Sequence, residues 1–240
     1  MTTAEATLER DPWAALLGQV PGLSRVELVG KGVGTGTGFQ DVSGSGRSYP
    51  WLTTPQQLEL RSGSPQDKPT GTGADALHVV GLDRNFAEIA EDTTLNGQTA
   101  VPTVRTDWFR VNDAWVLGTK QNVAAVAIRR LAPNTGDTIA NVSRGDSRRF
   151  GSVLTVPLGR RLLVYGWRWA ASGADIQVRF RYRVNLGPWI VRLGPTFGPP
   201  EFDGRALALP LVFEEKTDLI WEINTTIEQT FELFAFMEVL

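Results

Sequence analysis

Alternation between apolar and polar side chains is the main pattern in the second half of the chain. In the segment 175–184, DIQVRFRYRV, five apolar side chains alternate with one glutamine and three arginines. A period of two is typical of a strand with one buried face. The segment therefore predicts a strand whose opposite face is strongly basic. The three arginines are Arg179, Arg181 and Arg183.

Similar apolar runs recur from residue 76 to the end of the chain, separated by Gly, Pro and Asn. No helical pattern of about ten or more residues alternates with them, which argues against parallel βαβ units. We therefore predict an all-β fold, with a β-sandwich or jelly-roll-like domain over 76–240 that could divide at residue 140 into 76–140 and 141–240. The predicted strands are 76–80, 104–111, 114–117, 123–131, 153–156, 161–169, 175–184, 189–193, 206–213, 218–224 and 230–240.

Residues 1–75 have a different composition and predict an extended, glycine-rich N-terminal arm and loop region. Glycine occupies every second position from Gly30 to Gly38, which favours loop or extended chain. Near the start, an Asp-Pro pair precedes an apolar face formed by Trp13, Leu16 and Leu17, which predicts one short helix. Two interpretations stay open: the helix packs on its own domain, or it contacts a neighbouring subunit.

Charge is unevenly distributed although the net charge is only −2. Residues 144–192 hold ten Arg and two acidic residues, a balance of 10 − 2 = +8. Residues 201–240 hold nine acidic residues against one Arg and one Lys, a balance of 2 − 9 = −7. Either these strands neutralise each other as neighbours in one sandwich, or complementary faces join identical subunits. On the second interpretation Arg179, Arg181 and Arg183 are interface residues.

The sequence offers little to metal, cofactor or nucleophilic chemistry. There is no Cys, and His78 is the single histidine, which its strand context marks as structural. The glycine-rich stretch fails the spacing of nucleotide-binding loops, and no G-x-S-x-G motif occurs. We therefore predict no catalytic, metal or cofactor site. An alternative is a glycan hydrolase that uses carboxylates. Its candidates are Glu91 with Asp92, Glu214 with Glu215, and Asp203.

The distribution of apolar and basic residues also indicates whether the chain has a membrane span or a secretory signal. No apolar run approaches the length of a membrane span. The first residues lack the basic region of a secretory signal. We expect no membrane partner, and the small net charge gives no reason to expect a nucleic acid partner.

Residues 71–116 combine a GTGA stretch, an apolar strand, GLD, an acidic segment, LNG and an aromatic-Arg-Val strand. This combination resembles a recurring pattern in structural proteins of tailed bacteriophages, and the resemblance extends over about 71–240. The matching positions are Gly71, Gly73, Ala74, Gly81, Leu82, Asp83, Glu88, Glu91, Leu95, Asn96, Gly97, Thr103, Phe109, Arg110 and Val111.

The resemblance implies a non-enzymatic virion component on the capsid surface, in the first place a capsid decoration or cement protein. Its implied partners are the major capsid protein and further copies of itself, as a dimer or trimer. A head–tail, tail or vertex protein, including one that binds host glycans, is the alternative within the virion.

The motif also makes physical sense as scaffold. Gly81, Leu82 and Asp83 would end a strand so that the aspartate caps the following turn. Asn96 and Gly97 after Leu95 suit a turn that requires positive φ.

Overall fold

A computed structural model describes residues 19–33, 38–41, 49–131, 137–149, 151–171, 176–197, 203–224, 226 and 228–240. These residues form antiparallel β-sheets and contain no helix, which confirms the all-β class. The helix predicted around Trp13, Leu16 and Leu17 lies outside the described residues.

The described part of the chain contains sixteen strands. Their bounds are β1 Leu23–Val33, β2 Gln40–Asp41, β3 Leu58–Ser62, β4 Ala76–Leu82, β5 Glu88–Thr94, β6 Val101–Pro102, β7 Arg110–Leu117, β8 Val126–Arg130, β9 Thr138–Val142, β10 Val153–Thr155, β11 Arg160–Ala171, β12 Ile176–Val184, β13 Ile190–Phe197, β14 Asp203–Phe213, β15 Thr217–Asn224 and β16 Glu228–Val239.

The strands pair into four sheets. Sheet A has the order β1-β16-β11-β14, and sheet B has the order β10-β15-β12-β13 with β2 beside β15. Sheet C has the order β6-β3-β8-β9, and sheet D has the order β5-β4-β7. Sheets A and B therefore take their strands from both ends of the chain, whereas sheets C and D are built from the intervening residues 58–142.

Sheets A and B share one hydrophobic core. Leu162 on β11 and Leu233 on β16 come from sheet A, while Phe180 on β12 and Trp221 on β15 come from sheet B. Aromatic rings fill much of this space, since Phe180 stacks on Trp221 with ring centroids 4.7 Å apart. The alternation of β12 has the predicted outcome, because Val178 and Phe180 are buried in this core.

Sheets C and D pack on a second core that also reaches sheet B. Its fully buried members include Leu60 on β3, Leu77 on β4 and Trp108. Val153 and Ile220 of sheet B belong to the same cluster. Sheet B therefore has apolar contacts on both faces, and residues 58–142 form an inserted layer, called the insert below, against its outer face.

The pairing in sheets A and B is nested. β1 pairs with β16, β10 with β15, β11 with β14, and β12 with β13, all antiparallel. The first of eight strands thus meets the last, the second meets the seventh, and so on to the middle. The insert enters this series between its first and second strands.

The four sheets are arranged like a propeller. A propeller blade is a sheet of four neighbouring strands from one repeat, whereas none of these sheets contains four consecutive strands. The all-β class is thus established, and the assignment to a sandwich or jelly roll is a proposal that rests on strand order.

Several expectations about boundaries differ from the structure. Residues 23–33 and 58–62, assigned to the arm and loop region 1–75, are strands paired with β16 and β8. The division at residue 75 therefore does not follow the sheets. The predicted strand 104–111 is also wrong over most of its length, because β7 begins only at Arg110.

Candidate functional site

The basic face of β12 is turned toward two buried carboxylates on the neighbouring strand. Arg179 and Arg181 both bind Glu222, with closest N–O distances of 2.6 Å. Arg183 binds Asp218 at 2.9 Å. The register places Arg179 opposite Glu222 and Arg183 opposite Asp218. The structure therefore shows neutralisation between neighbouring strands of one chain, and a contact of the three arginines with another subunit stays a prediction.

Aromatic rings cover the same three guanidinium groups. Arg179 lies over Phe39 with 4.1 Å from its central carbon to the ring centroid, and Arg181 lies 4.9 Å from Trp189. Arg183 contacts both Trp189 and Trp51 at 4.5 and 5.0 Å. Stacking on an aromatic face and bidentate pairing suit the planar guanidinium better than a lysine ammonium. We call Arg179, Arg181, Arg183 and these rings the arginine row.

Asp218 joins the arginine row to the insert. Its two oxygens accept hydrogen bonds from Nε and Nη2 of Arg110, each at 2.9 Å, and from the Thr155 hydroxyl at 2.6 Å. The side chains of Arg110 and Asp218 are 1% and 0% exposed. Since Arg110 begins β7 and Asp218 lies on β15, this buried pair holds the insert against sheet B.

Tyr49 lies in the same buried region. Burial raises the pKa of its phenol above the ordinary value, against the opposing effect of the Arg110 and Arg149 charges. Arg149 is itself buried and donates to the main-chain oxygens of Val111 and Asn112. The region where the insert meets sheet B is thus rich in arginine and tightly closed.

The GLD residues of the resemblance have the structural role that the sequence predicts. β4 ends at Leu82, and the Asp83 carboxylate accepts hydrogen bonds from the amides of Asn85 and Ala87 at 2.8 and 2.9 Å. At Gly81, a Cβ atom would lie 2.0 Å from the carbonyl oxygen of Arg110 on β7. Glycine is therefore required for the close approach of β4 and β7.

The remaining motif residues also build local structure. Glu91 accepts hydrogen bonds from the amides of Val104 and Arg105, at 2.7 and 2.9 Å. Leu95 is buried, and Gly97 has the expected positive φ of 59°. Asn96 does not share that conformation, because the turn needs positive φ only at the glycine. None of these contacts brings the motif residues together as a reaction site.

Asp67 is a buried centre that the sequence pattern does not reveal. Its carboxylate accepts hydrogen bonds from the Ser62 hydroxyl and from the amides of Ala74 and Val123. A Cβ atom at Gly73 would lie 2.0 Å from one of its oxygens. This packing explains why glycine stands at position 73 of the GTGA stretch. The polar residues on either side of Asp67 in the sequence are the one signal that could have indicated this buried carboxylate.

The candidate carboxylates do not form one cluster, and one of them, Asp92, pairs with His78. His78 Nδ1 contacts Asp92 Oδ1, and the imidazole ring lies 4.3 Å from the Trp115 ring. Glu91 and Asp92 are consecutive on β5, so their side chains point to opposite faces. Glu215 accepts a hydrogen bond from the Gly159 amide at 2.7 Å. The Glu91–Asp92 pair expected for a glycosidase is therefore not assembled.

A pocket of about 170 Å³ lies between β1 and the insert. Its charged lining residues pair with each other: Arg148 binds Asp113 and Glu27, and Arg160 binds Glu88 at 2.6 Å. The hydrogen bond to Asp113 is the main reason that the pKa of Arg148 is raised. The lining is thus a set of matched ion pairs.

The described ranges offer neither a candidate metal-binding cluster nor a membrane-spanning helix. They contain no group of three or more His, Asp or Glu side chains arranged to hold a metal ion. No helix in the same part of the chain is long and apolar enough to cross a membrane. A comparison with known proteins finds no family model and no curated sequence that matches this chain.

Proposed function

We propose that this chain is a non-enzymatic structural component of a bacteriophage virion, in the first place a capsid decoration protein that binds the major capsid protein and further copies of itself. The observation that supports the proposal most is the nested pairing of eight strands in sheets A and B. A long antiparallel ribbon rolled into two sheets would produce this order, so the order supports a jelly roll.

Jelly rolls occur in viral capsid proteins, and also in lectins and cupins, so the fold alone does not determine the function. The resemblance of residues 71–116 to phage structural proteins favours the first of these groups. The contacts of the motif agree with a scaffold, since Gly81, Asp83 and Glu91 support turns and strand contacts.

The interior contacts also suit a rigid binding protein. Arg110 and Asp218 hold the insert on sheet B, and the arginine row is neutralised by Glu222 and Asp218. A virion protein that binds by shape needs its layers fixed before assembly, since ordering them at that moment would weaken binding.

Quantitative mass spectrometry of purified phage particles tests the proposal, with the major capsid protein as the internal reference. We expect a copy number comparable to that of the major capsid protein, or a simple fraction of it. A few copies per particle would instead support a tail or vertex position. Complete absence from particles would refute the virion role.

A second experiment examines the N-terminal segment. Deletion of residues 1–18, which removes Trp13, Leu16 and Leu17, spares β1 and every other described strand. If the segment contacts a neighbouring subunit, the truncated protein remains folded but binds phage shells more weakly. Unchanged binding would refute a role of these residues in the interface.

A further inference from the structure

Three turns meet at one end of sheets A and B. The Asn185 amide donates to the Lys216 carbonyl at 2.9 Å, and the Lys216 amide donates to the Val156 carbonyl at 2.8 Å. The Gly159 amide donates to the Glu215 carboxylate at 2.7 Å. The turns after β10, β12 and β14 therefore form one continuous surface.

This surface exposes several large apolar side chains. Leu158, Val184, Leu186 and Ile190 are each between 44% and 51% exposed. Leu240 is also exposed, and its amide donates to the Gly159 carbonyl at 2.9 Å. We call these five residues the apolar loop end.

The conformation of Leu186 is a second and independent observation. Asn185 and Leu186 have positive φ values of 46° and 61°. Asn tolerates this left-handed region, and a hairpin turn of this kind usually places Gly at the second position. A leucine there is strained, and about half of its side chain stays exposed to solvent, so this side chain gains less from the folding of its own chain than a buried leucine would. Burial by a partner would give this side chain a function.

We propose that the apolar loop end is the surface through which two copies of this chain associate. Five half-exposed side chains present roughly 400 Å² of apolar surface, a size that on monomers is often functional. A standard interface buries about 800 Å² per partner, a little over half of it apolar. The apolar loop end therefore supplies the apolar centre of one standard interface.

Charge at the margin of this surface also fits a second copy. Glu214 and Lys216 lie in the same turn beside the apolar residues. In a two-fold contact, each surface meets an identical one in the opposite orientation. Glu214 of one copy can then face Lys216 of the other. The inference rests on the proposed function for the role of self-association and adds the surface that performs it.

Sedimentation velocity of the full-length purified protein over a range of micromolar concentrations tests the inference. We expect reversible dimerisation of the wild type. Two aspartates would place unpaired charges at the centre of the interface, so Leu158→Asp combined with Leu186→Asp should weaken the dimer about 30-fold or more. Val104→Asp is the matched control, because Val104 is an 88% exposed apolar residue of the insert. This control should dimerise like the wild type.

A further variant separates association from folding. Leu186→Asn introduces a residue that tolerates positive φ and removes the apolar side chain. At concentrations at which the protein is monomeric it should raise thermal stability slightly, and at higher concentrations it should weaken the dimer. A wild type that stays monomeric would overturn the inference, and so would a dimer that the loop-end variants leave intact or that Val104→Asp weakens equally. If the purified protein is monomeric but abundant in particles, the proposed dimer surface is refuted and the virion role stands. If the protein dimerises but is absent from particles, the virion role is refuted and the dimer surface stands.

Discussion

Replacement of Asp218 by asparagine, which removes one charge and keeps the side-chain shape, should strongly destabilise this protein. Asp218 accepts four hydrogen bonds: two from Arg110, one from Arg183 and one from Thr155. The variant leaves the Arg110 guanidinium, only 1% exposed, without its counter-charge. Breaking a buried pair in this way costs about 3–5 kcal/mol. That loss is a large share of the roughly 5–15 kcal/mol typical of a folded protein.

Urea unfolding followed by tryptophan fluorescence measures this loss. The control is Asp107→Asn, because the Asp107–Arg105 pair has side chains 45% and 38% exposed and should contribute about 0–1 kcal/mol. The double variant Arg110→Met with Asp218→Asn should recover part of the loss, because the uncompensated charge of Arg110 is then removed, while Arg183 still lacks its carboxylate partner. Equal destabilisation by Asp218→Asn and Asp107→Asn would refute the reasoning.

Three further predictions concern single residues. Gly81→Ala should destabilise the protein by about 3 kcal/mol or more, because its Cβ would lie 2.0 Å from a carbonyl oxygen. Gly118→Ala is the control: its Cβ meets open space, so thermal unfolding should show a loss of only about 1 kcal/mol of stability, caused by the positive φ. The raised pKa of Tyr49 means that the unfolded chain loses the phenol proton at a lower pH than the folded chain does. The free energy of unfolding should therefore fall as the pH rises above about 10, and in Tyr49→Phe this part of the pH dependence should be missing. Glu91→Gln should lower the free energy of unfolding by about 1–2 kcal/mol, because the Val104 and Arg105 amides both donate to the Glu91 carboxylate. Hydrogen exchange of these two amides should accelerate.

The sequence predicts best those strands whose alternation is regular and whose inner face is fully buried. The segment 175–184 agrees with β12, Ile176–Val184, in both its bounds and its buried face. The apolar runs 218–224 and 230–240 correspond closely to β15 and β16. These strands lie inside their sheets, where packing requires apolar side chains and so leaves a clear pattern.

The edge strands β1 and β5 are absent from the predicted set. β1 contains two glycines and two basic residues, and its partner β16 is about 200 residues away. β5, with the sequence EIAEDTT, is an acidic edge strand of sheet D. Edge strands carry charge and expose more of both faces, so their alternation is weak. The pairing that makes them strands depends on distant residues that no local pattern reveals.

The arginine row shows the same limit for the candidate site. The sequence predicts that Arg179, Arg181 and Arg183 share a face, but it leaves neutralisation and subunit contact as alternatives. The neutralisation becomes visible only in the register that sets Arg179 opposite Glu222. The importance of Arg110 was equally hidden, because its partner Asp218 is 108 residues away.

The arrangement of layers restricts where this protein can bind a partner. The insert covers much of the outer face of sheet B, with Ile220 in its core and Asp218 bound to Arg110. On sheet A, Arg168 pairs with Glu232, so part of that charge is already neutralised within the chain. The apolar loop end differs from both faces, because about half of each of its leucine side chains stays exposed to solvent. It is therefore the surface on which substitutions should separate assembly from stability most cleanly.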